Sequence, residues 1–391
     1  MSEALNSEPF TVGSSNLAKC LRLPSETTGS RAAKSAQGGE TDATVDIIDI
    51  RKDGVSTSLA PLIREGLLKP DASHQRSIPS LLLWDERGLK AYEKITYNPE
   101  YYLTNAEIGI LEMHGREIAC RIRPKSILLE LGSGALRKTM ILLRALDDRG
   151  ERVDYYALDL DRNELLRTLS QIKPLKYVRC HGLLGTYDDG QVWLSKSVDA
   201  RRPRCVLSLG STTGGFTHPE ACGFWYGWSK MLQQWKDEAQ IIIGVDGCKD
   251  DTKVYRAYND KCGANSKFII NALDHANGQL GYWAFDRHNW MVKGEWDKAG
   301  GRHTQYLVPT KDLEFEGAQL KRGEKILVVH SHKWDELERK RLWKESDLRE
   351  NETFTINDCG YYGKLELLVI DGVLSNINLG IHILTPFSDA D

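Results

Sequence analysis

The feature that most constrains the fold is a strand–turn–helix pattern that repeats from residue 127. Short apolar runs end in glycine or aspartate, and stretches with helical apolar spacing follow them. Buried apolar strands that alternate with amphipathic helices predict a mostly parallel sheet covered on both faces. The runs are SILLELGSG, VDYYALDLD, RCVLSLGSTTGGF and QIIIGVDGC. We therefore expect a doubly wound, Rossmann-like α/β fold.

The first of these turns, ELGSG at 130–134, predicts a nucleotide-type cofactor. Its two glycines permit a sharp turn and a close backbone approach to a ligand. A dinucleotide fingerprint has a third glycine, which this chain lacks. The turn therefore favours S-adenosylmethionine over NAD, with a purely structural turn as the alternative. The cofactor residues predicted here are Glu130, Gly132, Ser133, Gly134 and Lys138.

Three further stretches would lie at the same edge of the sheet, where ligands of open α/β sheets bind. Asp159 ends the second strand and can accept both ribose hydroxyls, while Asp161 is predicted to cap the next helix. Thr186 and Tyr187 in HGLLGTYDDG are predicted to flank the adenine, with a plain turn as the alternative. Ser211 and Thr212, in LGSTTGGF, complete the predicted cofactor set.

The composition and the spacing of apolar residues along the chain suggest five regions. A segment rich in Ser, Gly, Ala and Thr cannot bury enough apolar surface to fold, so the first region is predicted to be disordered. After residue 251, an aromatic and histidine-rich stretch with alternating segments predicts a second, smaller α+β lobe. The predicted regions are a tail (1–43), a helical region contributing to the substrate site (44–120), the cofactor domain (121–250), the substrate lobe (251–340) and a segment returning to the main sheet (341–391).

Composition excludes several classes of function. A net charge of −3 and a pI near 6.4 leave no basic excess for nucleic acid. No apolar stretch approaches the roughly 20 residues of a membrane helix. Eight scattered cysteines without a CxxC pair indicate reduced thiols in a cytoplasmic protein. The oligomeric state is left open, with a homodimer as one option.

No metal site is predicted. His330 and His332 lie on a strand-like segment, but a His-x-His pair without a third ligand is a weak metal signature. The acidic KDD at 249–251 fits the start of a helix better than a Mg²⁺ site. The charged run ELERKRLWKE is predicted to be a solvated helix.

Over about residues 44–340 the chain resembles the histidine-specific methyltransferase family, whose bacterial members trimethylate the α-amino group of histidine. The resemblance is carried by WDERGLKAYEKITYNPEYYLTNAE, LLELGSG, LGSTTGGF, GCKDDTKVYRAYND and VVHSHKW. It implies an S-adenosylmethionine-dependent enzyme acting on a small molecule. It also implies that Tyr101 contacts the substrate and that Tyr258 bonds its carboxylate, with packing in the core as the alternative for both. The catalytic set carried over is Tyr101, Tyr258 and Ser331; the substrate set adds Trp84, Gly215 and Val329.

Two departures from the family's pattern bear on the substrate. Histidine-binding members have asparagine where this chain has Gly215, and glutamate where it has Val329, two residues before Ser331. Valine cannot pair with imidazole, and a buried polar ring without a partner costs about 1–3 kcal/mol. The resemblance is closest to the fungal 4-dimethylallyltryptophan N-methyltransferases, at IIDIR, YYALDL, HGLLGTYDDG and RPRC. We therefore expect α-N-methylation of an aromatic, prenylated tryptophan-type amino acid in alkaloid metabolism.

Three alternatives remain at this point: histidine α-N-methylation of the ergothioneine type, a catalytically silent S-adenosylmethionine-binding partner protein, and a dinucleotide oxidoreductase. An aromatic run in the second lobe is predicted either to build an apolar pocket for an indole or prenyl group or to be ordinary core. It comprises Tyr282, Trp283, Phe285, Trp290 and Trp296. The expected chemistry is a direct displacement in which the protein chiefly positions the reactants.

Overall fold

The architecture is taken from a computed structural model. It describes residues 45–52, 58–69, 75–196, 201–355 and 379–386. The predicted tail at 1–43 lies outside these residues, as do Cys20 and Cys359. No helix in the described part of the chain is long and apolar enough to cross a membrane.

Thirteen strands and ten α-helices are present in the described residues. The strands are β1 (Ile47–Asp49), β2 (Ile127–Leu131), β3 (Val153–Asp159), β4 (Val178–Leu184), β5 (Arg204–Ser208), β6 (Ala239–Asp246), β7 (Trp290–Asp297), β8 (Arg302–Pro309), β9 (Leu313–Phe315), β10 (Ala318–Leu320), β11 (Ile326–His332), β12 (Leu348–Thr355) and β13 (Leu379–Pro386). The helices are α1 (Ala60–Leu68), α2 (Glu86–Thr96), α3 (Tyr102–Arg121), α4 (Thr139–Asp148), α5 (Arg162–Leu169), α6 (Tyr187–Lys196), α7 (His218–Leu232), α8 (Asp251–Tyr258), α9 (Ala264–Leu280) and α10 (Glu336–Glu345).

Eight strands form the main sheet in the order β1-β4-β3-β2-β5-β6-β13-β12. Strands β1 to β6 are parallel, and β13 runs antiparallel to both of its neighbours. The chain moves outward from β2 through β3 to β4 and then crosses back to β5. This reversal between β2 and β5 is the place where open α/β sheets bind ligands.

Helices cover both faces of the main sheet, which confirms the predicted doubly wound fold. On one face, α3, α4 and α5 pack against side chains such as Leu128 and Tyr155. On the other face, α6, α7 and α10 pack against Leu129 and Leu131. Neighbouring residues of β2 thus enter opposite cores, as the two-residue repeat of a strand requires.

The second lobe is smaller and has its own core. Strands β11, β8 and β7 form an antiparallel sheet, and β9 pairs with β10. Helices α1, α2, α8 and α9 pack on this sheet around residues such as Leu82, Ile269 and Leu307. The N-terminal helices α1 and α2 therefore share a core with the predicted substrate lobe.

Two helices lie across the predicted region boundaries. Helix α3 ends at Arg121 but packs against α4 and β13, and so lies on the main sheet. Helix α10 spans residue 340 and packs against α7 and β12. Apolar spacing predicts such helices but not the surface that each of them covers. KDD begins α8, where Asp250 accepts a hydrogen bond from the Lys253 amide at 2.8 Å.

Candidate active site

A cavity of about 300 Å³ opens at the carboxyl ends of the parallel strands and continues into the second lobe. The sheet half of the cavity is lined by residues drawn from 132–139, 159–164, 185–187 and 209–216. The lobe half is lined by residues drawn from 80–104, 258–269, 303–305 and 329–331. The predicted site residues on the wall are Trp84, Tyr101, Gly132, Ser133, Gly134, Lys138, Asp159, Thr186, Tyr187, Ser211, Thr212, Gly215, Tyr258, Val329 and Ser331.

Among the predicted cofactor residues, Glu130 alone does not line the cavity. Its buried carboxylate accepts hydrogen bonds from Thr139 Oγ1 at 2.7 Å and from the Tyr155 hydroxyl. Burial raises the pKa of Glu130 to about 7, although both hydrogen bonds lower it. Because Thr139 begins α4, Glu130 holds the first turn of that helix against β2 and β3.

The turn after β2 needs glycine for a reason visible in the structure. Gly132 has φ +69°, and a Cβ built on it would lie 2.8 Å from the Tyr187 hydroxyl. The glycine therefore lets Tyr187 close the turn from the neighbouring loop. Burial raises the pKa of Tyr187, so its hydroxyl remains protonated and can donate a hydrogen bond.

The next two strand ends carry the polar groups predicted for an adenosine. Asp159 lies on the wall and accepts a hydrogen bond from the Leu160 amide at 2.7 Å. Burial raises the pKa of Asp159 to about 6. Asp161 caps α5 by accepting from the Glu164 amide at 2.8 Å, as predicted. Thr186 bonds to Asp189 Oδ2 through its hydroxyl at 2.7 Å, which orders the turn that begins α6.

The loop after β5 is fixed by two contacts. Ser211 has φ +56°, an uncommon conformation for a residue with a side chain, and its Oγ accepts from the Asp246 amide at 3.0 Å. The Gly210 amide donates to both carboxylate oxygens of Glu107 at 2.9 Å, and Lys138 Nζ lies 2.5 Å from Glu107 Oε2. Glu107, on α3, thereby ties the turn after β2 to the loop after β5.

A buried ionic network supports the lobe half. Lys333 Nζ donates to the Tyr258 hydroxyl at 2.8 Å and to Ser331 Oγ at 3.2 Å, and these two oxygens lie 2.5 Å apart. The same ammonium lies 2.7 Å from Asp246 Oδ2, which also accepts from the Tyr102 hydroxyl at 2.6 Å. Two predicted catalytic residues therefore share one cation that sequence reasoning missed.

This ion pair is removed from water, since the side chains of Lys333 and Asp246 are both 0% exposed. Burial alone lowers the pKa of Lys333, but Asp246 and Tyr258 raise it, and the net direction is upward. The ammonium therefore stays charged behind the wall. The available sequence signals were the final lysine of VVHSHK and the aspartate that ends β6, neither of which indicates the other.

Aromatic rings form the outer part of the lobe half. Trp84 makes edge contacts with Tyr92 and Phe268, each at a centroid distance of 5.2 Å. Tyr101 packs edge-on against Tyr258 at 5.8 Å. Burial raises the pKa of Tyr101 well above its usual value, so its phenol is protonated.

The aromatic run predicted to line a pocket does not reach the cavity wall, so that part of the expectation is wrong. Phe285 and Trp290 are buried in the core of the second lobe. Trp283 is 72% exposed and Tyr282 is 44% exposed. Trp296 instead donates its indole N–H to Asp251 at 2.8 Å. The rings that line the lobe half are Trp84, Tyr101 and Tyr258, which the family resemblance implied, and Tyr92 and Phe268, which sequence reasoning missed.

Val329 lies on the lobe wall, where it packs against the apolar core of the second lobe and faces polar residues on the paired strand. Val329 pairs with Gln305 across β11 and β8, and Ser331 pairs with His303. Gln305 donates Nε2 to the Tyr258 carbonyl at 3.0 Å, while its buried Oε1 has no partner among the described residues. His303 stacks on Tyr258 at 4.7 Å and lies 3.0 Å from Asn259 Nδ2. Burial lowers the pKa of His303 to about 3, so this ring is neutral at pH 7.

A glycine permits this arrangement around His303. A Cβ built on Gly294 would lie 2.5 Å from Asn259 Oδ1 and 2.8 Å from His303 Cε1. His330 is also on the wall, where it bonds to Thr304 Oγ1 at 3.0 Å, and burial lowers its pKa to about 4. Neither histidine is therefore suited to act as a base at neutral pH.

The fold and the cavity together define an S-adenosylmethionine-dependent methyltransferase. The model of the family "Histidine-specific methyltransferase, SAM-dependent" matches residues 59–365. The chain belongs to this family. The predicted cofactor and enzyme class are confirmed, and the dinucleotide oxidoreductase hypothesis is wrong.

Two similar proteins carry different activities in their names. Ergothioneine biosynthesis protein 1 of Neurospora crassa is 43% identical over 320 residues, which cover 81% of this chain and 36% of that protein. The chain thus spans about a third of the length of that relative. The 4-dimethylallyltryptophan N-methyltransferase of Aspergillus fumigatus is 32% identical over 326 residues, covering 80% of this chain and 94% of that enzyme.

These identities reverse the order of the two substrates expected from the sequence. The ergothioneine-type relative, which stood as the alternative, is more similar than the prenyltryptophan-type enzyme. The expectation against histidine depended on Gly215 and Val329, and both residues line the cavity. In the structure, Val329 pairs with Gln305 across β11 and β8 and packs against the apolar core of the second lobe.

Proposed function

We propose that this chain transfers methyl groups from S-adenosylmethionine to the α-amino group of histidine. The observation that carries the substrate is the polar pair beside Val329, formed by Gln305 and His303. The 43% identity to an ergothioneine biosynthesis protein supports the same substrate.

The pair has the hydrogen-bonding character that an imidazole requires. Gln305 uses its amide nitrogen on the Tyr258 carbonyl, so the oxygen left over is an acceptor. Asn259 Nδ2 can only donate, so the neutral His303 accepts at Nε2 and carries its proton on Nδ1, which has no partner among the described residues. A neutral imidazole has one N–H and one lone pair. Gln305 and His303 offer the complementary acceptor and donor.

The other end of the amino acid would meet Tyr258 and Ser331. The Lys333 ammonium donates to both hydroxyl oxygens and supplies positive charge behind them. A hydroxyl polarised in this way is a good donor to a carboxylate. Tyr101, which packs against Tyr258, would close the site around the α-carbon.

The sheet half would hold the cofactor. Asp159 would accept from the ribose hydroxyls, Thr186 and Tyr187 would flank the adenine, and Lys138 and Ser211 would contact the amino-acid end. When bound, S-adenosylmethionine supplies a methyl group that its sulfonium charge has already activated. The residues of the chain then act by holding the amine in line and by excluding water. Because burial lowers the pKa values of His303 and His330, neither ring would accept the proton of the amine, and solvent would take it.

A prenylated tryptophan is the second candidate. The apolar rings of Trp84 and Phe268 and the side chain of Val329 line the same half of the cavity. The A. fumigatus relative that carries this activity in its name is matched over 94% of its length.

A substrate panel separates the two candidates. The full chain is incubated with S-adenosylmethionine and histidine, tryptophan, tyrosine or 4-dimethylallyltryptophan, and products are identified by mass spectrometry. We expect methylation of histidine at its α-nitrogen with the highest kcat/KM of the panel. A higher kcat/KM for 4-dimethylallyltryptophan would overturn the proposed substrate, and no methylated product from any amine would overturn the proposed reaction.

A further inference from the structure

A second cluster of chemically competent side chains lies on the outside of the main sheet, between α7 and α10. His218 is the first residue of α7, Cys222 lies one turn further along, and Glu345 is the last residue of α10. The cluster unites histidine, cysteine and carboxylate, the three side chains that bind Zn²⁺ most often.

The three donor atoms form a nearly equilateral triangle. Cys222 Sγ lies 3.5 Å from His218 Nδ1 and 3.4 Å from Glu345 Oε2. His218 Nδ1 lies 3.5 Å from Glu345 Oε2. Zinc bonds of about 2.0–2.3 Å at tetrahedral angles would separate such ligands by about 3.4–3.6 Å. The side chains are therefore already at the spacing of three corners of a zinc tetrahedron.

The neighbours leave the donor atoms available. Arg341 binds the other carboxylate oxygen of Glu345, Oε1, at 2.7 Å. The His218 ring packs against Trp334 at 5.7 Å, which holds its orientation.

We propose that His218, Cys222 and Glu345 bind a divalent transition metal such as Zn²⁺, with water at the fourth position. The Cys222 thiol loses its proton to solvent as the sulfur–metal bond forms, since only the thiolate is a strong ligand. Binding therefore releases about one proton per metal ion.

The site would join two helices that are distant in sequence. Helix α7 begins two residues after Phe216, which lies on the cavity wall, and α10 packs on α7. A metal ion would fix the start of α7 and with it the loop after β5. No spacing rule indicates this site from the sequence, because Glu345 lies 123 residues after Cys222.

Cobalt titration tests the proposal with a readout that does not depend on activity. The full chain is freed of metal with a chelator and titrated with Co²⁺, and then with Zn²⁺ against a chromophoric chelator. We expect one Co²⁺ per chain, with thiolate-to-cobalt charge-transfer absorption and the intense visible bands of tetrahedral cobalt. Zn²⁺ should displace the cobalt and remove both.

Matched variants locate the site. Cys222→Ser should abolish the charge-transfer absorption and weaken Zn²⁺ binding by at least about 100-fold. Cys120→Ser, at an exposed cysteine on α3, should leave both unchanged. The absence of charge-transfer absorption in the wild-type chain, or its persistence in Cys222→Ser, would overturn the proposal. His218→Ala should lower the affinity as well, and unchanged Zn²⁺ binding in that variant would equally contradict it.

Discussion

The sheet half of the cavity is built at the ends of adjacent parallel strands, whereas the lobe half is assembled from side chains of distant helices and an antiparallel sheet. In the sheet half, turns place backbone groups and single polar side chains such as Asp159 on the cavity wall. In the lobe half, Tyr258 and Ser331 depend on Lys333 and Asp246, which lie behind the wall. The arrangement of the sheet half depends on local chain geometry, whereas that of the lobe half depends on one buried network. This difference predicts which substitutions disturb folding, cofactor binding or substrate choice.

The largest effect is expected from Lys333→Met. This change leaves Asp246 charged and buried without its cation, a loss of about 3–5 kcal/mol when one partner of a buried pair is removed. Urea unfolding, analysed by linear extrapolation, measures the loss. Lys340→Met is the matched control, because Lys340 pairs with Glu336 on the exposed face of α10 and should cost at most about 1 kcal/mol.

The double variant Lys333→Met/Asp246→Leu distinguishes folding from positioning. Removing both charges should recover much of the lost stability. The KM for the amino acid should be raised in Lys333→Met and should stay raised in the double variant, because Tyr258 and Ser331 lack the ammonium in both. Recovery of the wild-type KM in the double variant would show that Lys333 has no role in holding these hydroxyls.

Asp159→Ala should act on the cofactor alone. Loss of hydrogen bonds to a charged carboxylate costs about 1.5–3 kcal/mol, or roughly 10- to 150-fold in affinity. Calorimetric titration with adenosylhomocysteine measures this directly. Asp161→Ala is the control, since it should cost about 1 kcal/mol of stability through the cap of α5 and leave cofactor affinity intact. Equal losses of affinity in both variants would contradict the ribose assignment.

The pKa of Asp159 gives a pH dependence with a definite sign. Burial raises this pKa to about 6, and the ribose hydroxyls are best accepted by the ionised form. The carboxyl is mostly ionised at pH 7 and mostly protonated at pH 5, so adenosylhomocysteine affinity should fall about tenfold over that interval. Asp159→Asn should flatten this part of the profile. An affinity that rises as the pH falls would contradict the assignment.

The smallest effect is expected from Val329→Glu. The introduced carboxylate would add an acceptor beside Gln305, which already provides one, so kcat/KM for histidine should rise by less than about tenfold. Val329→Gln, a neutral polar change at the same position, serves as the control for bulk. A loss of histidine turnover in the glutamate variant, with folding intact, would mean that position 329 does not face the substrate ring.

The contrast between the two halves of the cavity also explains how much of the structure could be predicted from the sequence alone. The repeating strand–turn–helix pattern, the turn at Gly132 and the cap at Asp161 are local features, so periodicity and turn chemistry predict them. The partnership of Lys333 with Asp246 and that of Glu107 with Gly210 are long-range, and no spacing rule indicates them. The aromatic run from Tyr282 to Trp296 was left open between pocket and core because composition cannot distinguish the two, and Phe285 and Trp290 belong to the core. The cross-strand neighbour of Val329, Gln305, is visible only once β8 and β11 are paired.

The central claim is that Gln305 and His303 recognise the ring of histidine, and Gln305→Leu tests it most directly. The measurement is the ratio of kcat/KM for histidine to that for 4-dimethylallyltryptophan, in the wild type and in the variant. Loss of the Gln305 oxygen should lower this ratio by about 10- to 100-fold, since it leaves an imidazole group without its partner. An unchanged or increased ratio, in a variant that binds adenosylhomocysteine normally, would contradict the account.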